Sequence, residues 1–474
     1  VQRTPILQGS RICFNVELFE SVVLWIESAS HLRIVYFQDS EDSVSDGKLR
    51  VLLTTQPGTG HLRPLMPLAQ ALQTAGHTVA VACAPSFARW VVAAGLEAIP
   101  AGLDWLESEP ELAFPEMAAM SPAERDEMLT EIFTDISANQ MTYDLLECCP
   151  QWKPDLLVRD YSEYGACLAG EILDIPHAVV GLGLYIPNYI TRLSMEKPLA
   201  YLRSAYGLPP HPAMEMLTRY LYLSLVPRSF QFPEYPMPPV LHSVRFPEPE
   251  SGGAAVLPEW VATLPKQPTV YVSMGTVFNR APEIFREILD GLQDEPLNLI
   301  LTIGRNQDPA QFGKRPANVH IEQFIPQAAL MPYCDLVITH GGINTILIGL
   351  GYGLPLVVIP LVGHQLQNVV RCKALGVGIP LLPREQGLVL DAATVAAQGP
   401  EATQSAAQAL FGDDSATFNA ASVRETVRTL LGTSSYRAAA QRLQAEMAVL
   451  PGPEYAVALL ERLARERGPV TGEG

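Results

Sequence analysis

From Leu49 onward the chain alternates short, continuously apolar runs with segments whose apolar residues recur at helical spacing. Continuous apolar runs bounded by turn residues mark strands buried on both faces, and their alternation with helices predicts parallel βαβ units. The first unit reads as a strand over Leu49–Thr55, the tight loop Gln56-Pro-Gly-Thr-Gly60, a helix with Pro64 in its first turn and Gly76 at its end, and a strand over His77–Cys83. A helix around Phe87–Ala94, a strand near Leu96–Pro100 and a long helical stretch over Ser121–Cys148 are expected next. A further unit is predicted from strand Leu156–Asp160, helix Glu163–Leu173 and strand His177–Gly183.

Prolines then become dense between Val226 and Pro268, with Gly252-Gly253 among them, a composition that disfavours regular elements and predicts a linker. A second α/β series opens at Thr269–Gly275 and runs through expected strands Leu297–Gly304, Asn318–Phe324, Leu336–His340 and Pro355–Leu361. The tail Val423–Arg467 reads as amphipathic helices, with Pro451-Gly-Pro453 as a hinge. The expected class is therefore α/β, with two Rossmann-like, doubly wound parallel-sheet domains over 49–245 and 269–474, joined by a linker over 246–268. The last helix is a candidate to pack back on the first domain. Residues 1–48 fit no repeated unit and end in the acidic run Gln38–Gly47, so they read as an appendage outside the core fold.

A length of 474 residues, 48% apolar and 17% charged, supports two buried cores and argues against disorder. Against 50 acidic residues stand 32 basic ones, a net charge of −18 that repels nucleic acid. Any phosphate must then be held locally, by backbone N–H groups, hydroxyls and helix N-termini. The seven cysteines form no Cys-x-x-Cys and no zinc-type cluster, which fits a reduced, cytoplasmic compartment. The stretch Ile12–Phe37 is interrupted by Glu17, Glu20, Glu27, His31 and Arg33, so it reads neither as a membrane span nor as the core of a signal peptide.

Two loops carry candidate chemistry. Gly58-Thr-Gly60-His61 follows a buried strand, as a dinucleotide fingerprint would, but Arg63 stands where the third glycine belongs and the strand His77–Cys83 ends without an acidic residue. Nicotinamide or flavin binding is the weaker reading. His61 instead sits at the carboxyl edge of a parallel sheet, where α/β folds bind ligands. Alone it reads equally well as a surface-loop histidine. Asp160 ends a parallel strand at the same edge, and a carboxylate that fixes the tautomer of an imidazole makes it a competent general base. Asp155, at the other end of that strand, reads as a strand-entry residue.

The second half carries the stronger signal. Strand Leu336–Thr339 delivers His340-Gly341-Gly342-Ile343-Asn344-Thr345, where glycines let the backbone approach an anion and a helix start with a threonine hydroxyl can hold a diphosphate. Ser273, Gly275 and Thr276 end the first strand of this half and add further donors. Phe324 and Gln327 offer an aromatic face and an amide to a base, although a phenylalanine such as Phe324 alone is more often core. After Gly353-Leu-Pro355 and its strand come His364, Gln365 and Asn368, suited to sugar hydroxyls. The chain has no Asp-x-Asp, so a metal-bridged diphosphate lacks its carboxylate pair and no metal is expected.

Taken together, these residues resemble the GT-B-fold glycosyltransferases that use nucleotide sugars, the family of plant and bacterial natural-product glycosyltransferases, including antibiotic glycosyltransferases, and of animal UDP-glucuronosyltransferases. The resemblance runs from Leu49 to about Leu463 and is most specific over Phe324–Asn368, where Phe-x-Pro-Gln, His-Gly-Gly-x-Asn-Thr, Gly-x-Pro and Gln-x-x-Asn fall in register. It implies a central cleft with the acceptor on the first domain and the donor on the second. It further implies His61 as the base, Asp160 as its support, and inversion at the anomeric carbon. UDP-sugar members commonly carry a Glu eight residues after the motif histidine, where this chain has Ile348, and Asp or Glu is frequent where it has His364. A deoxyribose needs no such ribose grip, which tilts the expected donor from UDP toward dTDP, and His364 suggests a galactose-type or deoxy sugar. The expectation is an inverting, metal-independent hexosyltransferase without a cofactor, monomeric or homodimeric. Its acceptor would be a hydrophobic natural-product-like hydroxyl compound, since Leu182–Tyr189 and Tyr201–Tyr222 are rich in apolar and aromatic residues. Two alternatives stay open: a nucleotide-sugar 2-epimerase of the same fold, and a catalytically silent sugar-nucleotide-binding protein.

Overall fold

The computed structural model describes residues 22–28, 31–36 and 47–472, apart from 107–108, 121, 211–213, 247–256, 276–281, 305–306, 362 and 383–417. Two compact units are distinct, Val1–Lys48 and Leu49–Gly474. In the first, β1 (Val22–Ser28) and β2 (His31–Tyr36) pair antiparallel, with Val22 opposite Tyr36. Of the charged residues that break up this hydrophobic stretch, Glu27 and His31 fall at the strand ends nearest the connection and Arg33 lies within β2 opposite Trp25, while mostly β-branched and aromatic residues fill the rest.

The second unit contains two parallel sheets. The first uses β3 (Arg50–Thr54), β4 (Thr78–Cys83), β5 (Glu97–Pro100), β6 (Leu156–Asp160), β7 (His177–Gly181), β8 (Leu221–Ser224) and β9 (Leu241–Ser243), in the order β5-β4-β3-β6-β7-β8-β9. Its helices are α1 (Thr59–Thr74), α2 (Ala88–Ala93), α3 (Pro122–Glu131), α4 (Ala138–Trp152), α5 (Gly165–Leu173) and α6 (Asn188–Ala205). The second sheet runs in the order β12-β11-β10-β13-β14-β15, from β10 (Thr269–Ser273), β11 (Asn298–Thr302), β12 (Val319–Glu322), β13 (Leu336–Thr339), β14 (Leu356–Val358) and β15 (Gly378–Pro380). Its helices include α7 (Pro282–Leu292), α8 (Gln327–Leu330), α9 (Ile343–Gly351) and α10 (Gly363–Ala374), and the chain closes with α11 (Ala420–Gly432), α12 (Ser434–Ala448) and α13 (Pro453–Glu466).

Strands β6, β7, β8, β10, β11, β13 and β14 are buried along their whole length because helices cover both faces, whereas β5, β9 and β12 at the sheet edges are only partly buried. Val51 and Leu53 of β3 pack with Leu65, Leu68 and Leu72 of α1, while Leu52 between them points to Met141, Leu145 and Trp152 of α4. In both sheets the chain order reverses next to the first strand, between β3 and β6 and between β10 and β13. At such switch points the loops leave in opposite directions and open a crevice at the carboxyl ends. The predicted loops of His61 and Asp160 flank the first reversal, and those of Ser273 and His340 flank the second.

Three departures from the sequence reading have physical causes. The proline-dense region holds a strand, β9, which pairs parallel with β8 as the outermost of its sheet. An edge strand of three residues needs few donors, so Pro238 and Pro239 just before it are tolerated. Within the expected linker, residues Glu259–Thr263 form a short 3-10 turn that buries Val261 in the second core. The long helix expected over Ser121–Cys148 divides into α3, a π-helical turn over Ile132–Ser137 and α4. No helix among the described residues is long and apolar enough to cross a membrane.

Helix α13 comes last in sequence yet packs on α1 and β8 of the first domain. Leu459, Leu460, Leu463 and Val470 are buried in that domain's core. Glu461 pairs with His77 at 3.2 Å, and His242 Nε2 lies 2.9 Å from the Val470 carbonyl. Leu460→Ala, at a fully buried position, should cost about 2–5 kcal/mol of stability. Denaturant melts that gave a loss below about 0.5 kcal/mol, the range of ordinary surface changes, would refute the packing of α13 into this core.

Candidate active site

His61 lies in the first turn of α1, where the chain leaves β3 through Gly58 in extended conformation. It is buried, and its Nδ1 is 3.3 Å from Asp160 Oδ1. Asp160 has no solvent exposure. Its Oδ2 accepts from Gln56 N at 2.7 Å and Thr55 Oγ1 at 3.1 Å, and its Oδ1 accepts from Ser162 N and Ser162 Oγ, both at 2.8 Å. Burial alone would raise the carboxyl, but the neighbouring His61 charge and the hydrogen bonds from His61, Gln56 and Ser162 outweigh it and hold the group at about 2. Ser162 Oγ is also 3.2 Å from His61 Nδ1. Asp155 accepts from Arg50 N at 2.7 Å at the opposite end of β6, a strand-entry role.

Aromatic rings wall this site. Tyr161 stacks over His61 with centroids 6.0 Å apart, Phe133 of the π-helical turn lies at 6.4 Å, and Trp105 meets Phe133 edge-on at 5.4 Å. The extra residue of a π turn widens the helix locally, and such turns recur at functional sites. Glu163, one residue beyond Ser162, faces inward. Its carboxyl is buried and accepts from Thr54 Oγ1 at 2.6 Å, Gly165 N at 2.6 Å and Ala166 N at 3.1 Å, capping α5. Burial pushes it up to about 7 against the pull of the Thr54 hydrogen bond, with the Asp160 charge adding to the rise.

At the second switch point the His340 ring lies between two glycines. A Cβ on Gly275 or on Gly342 would come within 2.6 Å of that ring, and Gly275 has φ +74°, so both positions exclude a side chain. Thr339 Oγ1 is 3.4 Å from His340 Nδ1. Gln327 Nε2 donates to the Tyr271 hydroxyl at 3.1 Å and lies 3.5 Å from Ser273 Oγ. Thr345 is buried in the first turn of α9. Asn368 donates to the Gly341 carbonyl at 2.9 Å, and Gln365 Oε1 accepts from Leu361 N at 2.7 Å, so these two amides brace the loops. Phe324 is 42% exposed and lines a cavity of 470 Å³ with Pro309, Glu322 and Gln323. Ile348 packs half-buried against the apolar core. Thr276 and the side chain of His364 lie outside the described residues.

The two loops meet. Asn344 Nδ2 donates to the Gly60 carbonyl at 3.2 Å, joining the His340 loop to the residue before His61. Sequence reasoning missed Thr55, Gln56 and Ser162 around Asp160. The signal available was the polar pair that ends β3 and the Asp-x-Ser that ends β6. Tyr271, under Gln327, was also missed, because a tyrosine within an apolar strand reads as core.

Residues 70–275 match the family described as "Erythromycin biosynthesis protein CIII-like, N-terminal domain", and residues 218–386 match "UDP-glucoronosyl and UDP-glucosyl transferase". The 4'-demethylrebeccamycin synthase of Lentzea aerocolonigenes is 30% identical over 379 residues, covering 71% of this chain and 88% of that protein. This chain belongs to the natural-product glycosyltransferases. The Aclacinomycin-T 2-deoxy-L-fucose transferase of Streptomyces galilaeus is 26% identical across 90% of this glycosyltransferase and 100% of its own length. Among solved structures, the glycosyltransferase SnogD from Streptomyces nogalater superposes with a TM-score of 0.67 at 26% identity, covering 88% of this chain and all of that one. The fold is GT-B, two Rossmann-like domains of seven and six strands.

The carboxyls of this glycosyltransferase predict its pH dependence. The folded-state value of Glu163, about 7, lies above its ordinary 4.5. The folded chain therefore holds that proton more tightly, and the stability this contributes is fully present below about 4.5 and lost as pH rises through about 7. Glu163→Gln should remove a loss on the order of 3 kcal/mol, so denaturant midpoints at pH 5 and pH 8 should lie closer together than in the parent. An unchanged difference would show that Glu163 is ionised throughout.

Proposed function

We propose that this glycosyltransferase moves a hexose or deoxyhexose from a nucleoside-diphosphate sugar to a hydroxyl of a hydrophobic small molecule, with inversion and without a metal. The observation that carries this is the pairing of His61 Nδ1 with the buried Asp160 carboxylate. With the ring proton on Nδ1, the Nε2 lone pair takes the proton of the acceptor hydroxyl, and the oxygen attacks the anomeric carbon as the bond to the diphosphate breaks. Asp160 stays ionised and stabilises the imidazolium that forms.

The departing diphosphate collects on the backbone of Gly341 and Gly342 at the start of α9, on Thr345, Ser273 and Thr276, and beside His340. Phe324 and Gln327 take the base, and His364 and Gln365 take sugar hydroxyls. Ile348, packed against the apolar core, puts no carboxylate at that position of the motif for a ribose 2'-hydroxyl, which supports a dTDP-linked donor. The acceptor faces the aromatic wall of Trp105, Phe133 and Tyr161. Relatives named for 2-deoxy-L-fucose, rhodosaminyl and mycaminosyl transfer support a deoxyhexose donor, and the names aklavinone and tylactone support a natural-product acceptor.

His61→Ala should lower transfer from dTDP-glucose to a hydroxyanthraquinone by ~10²–10⁴-fold while dTDP binding, read by calorimetry, stays near parental; transfer at the full rate would sink the base assignment. Thermal shifts separate the donors. A ligand that binds only the folded state adds RT ln(1 + [L]/Kd), so at equal concentration dTDP should raise the melting temperature more than UDP. Equal shifts, or a larger one from UDP, would remove the argument from Ile348.

A further inference from the structure

We infer that Ser162 is the positioning residue that fixes the His61 ring, and that Asp160 acts on the ring as a charge rather than as its sole hydrogen-bond partner. This rests on the reading of His61 as the base. A charge-assisted N–H to carboxylate bond normally spans ~2.7–2.9 Å. The His61 Nδ1 to Asp160 Oδ1 distance is 3.3 Å, and Ser162 Oγ is marginally nearer at 3.2 Å. The Nδ1 proton is therefore shared between two oxygens.

The direction of each bond follows from what Asp160 needs. A buried, ionised carboxylate accepts and never donates, so the Ser162 hydroxyl proton goes to Oδ1, at 2.8 Å. That spends the only proton the hydroxyl has and turns its lone pairs toward His61 Nδ1. A proton on Nδ1 then satisfies both oxygens, whereas a ring with its proton on Nε2 would set the Nδ1 lone pair against them. Donation to Asp160 also polarises the hydroxyl and strengthens its accepting side. When the acceptor proton arrives on Nε2, the Nδ1 proton stays in place, and neither Asp160 nor Ser162 changes protonation. The backbone adds precision, because Ser162 N donates to the same Oδ1 at 2.8 Å and seats the residue at the exit of β6 independently of its hydroxyl.

That second bond makes the inference separable from a structural role, since Ser162→Ala keeps the N–H contact and the turn. The test compares the parent, Ser162→Ala, Ser162→Thr and His61→Ala. Imidazole ¹⁵N spectra of the ligand-free protein, with the His61 signals assigned by their loss in His61→Ala, should show the Nδ1–H tautomer in the parent, a mixture in Ser162→Ala and recovery in Ser162→Thr. In parallel, kcat with dTDP-glucose and a hydroxyanthraquinone should fall roughly tenfold in Ser162→Ala, with KM for the donor unchanged. Ser162→Thr should recover most of the rate. An inactive His61→Ala beside a Ser162→Ala that matches the parent in tautomer and kcat would overturn the role of Ser162 and leave the base in place. A fully active His61→Ala would overturn both.

Discussion

A single buried negative charge organises the first domain's half of the site. Asp160 is sealed from water, where an unpaired carboxylate would cost several kcal/mol or give up its charge. It keeps the charge because donors from three chain segments converge on it: Thr55 and Gln56 after β3, Ser162 after β6, and His61 at the start of α1. Satisfying that carboxylate ties two neighbouring strands and a helix together at the sheet's switch point. The orientation of His61 is a by-product of meeting the demand. Glu163, three residues on, shows the opposite solution, since burial, with the Asp160 charge adding to it, shifts this carboxyl toward its neutral form, and it serves as a helix cap.

The second domain solves a different problem with the same topology. Among the described residues its switch point holds no buried acid. The backbone instead comes close to an imidazole on both sides, with Gly275 and Gly342 bracketing His340. One edge of the cleft thus presents the His61–Asp160 pair and the other a glycine-bracketed backbone with hydroxyls, the kinds of group that the proposed proton abstraction and anion stabilisation would use. With a net charge of −18 the protein has no general field to hold a diphosphate, so the proposed donor site relies on this local construction. Where the edges meet, the Asn344 to Gly60 bond connects them through one amide.

The two-domain α/β organisation was readable in the sequence because parallel strands buried on both faces appear as unbroken apolar runs; β6, Leu156–Asp160, is an example whose bounds coincide with the sequence reading. His61 and Asp160 were recognisable because titratable residues at strand ends are few and the parallel arrangement sends both to one edge. Other features left weaker traces. Ser162 looks like an ordinary turn residue, and its relation to His61 exists only once β3 and β6 are neighbours. The π-helical turn at Ile132–Ser137 involves no proline or glycine, so nothing local announces it. Strand β9 was hidden by prolines that matter little at a sheet edge, and the pairing of β1 with β2 by the charged residues Glu27, His31 and Arg33 in the two strands.

The placement of α13 bears on the order in which the chain becomes a protein. The first domain's sheet leaves the ribosome long before residues that help cover one of its faces, because Leu459, Leu460, Leu463 and Val470 follow the strands of the second domain in the chain. Until then the apolar side of α1 and β8 lacks part of its cover, a condition that exposes nascent domains to misassociation. Completion of the first domain therefore waits on translation of the second, and the two halves of the cleft reach their final form together.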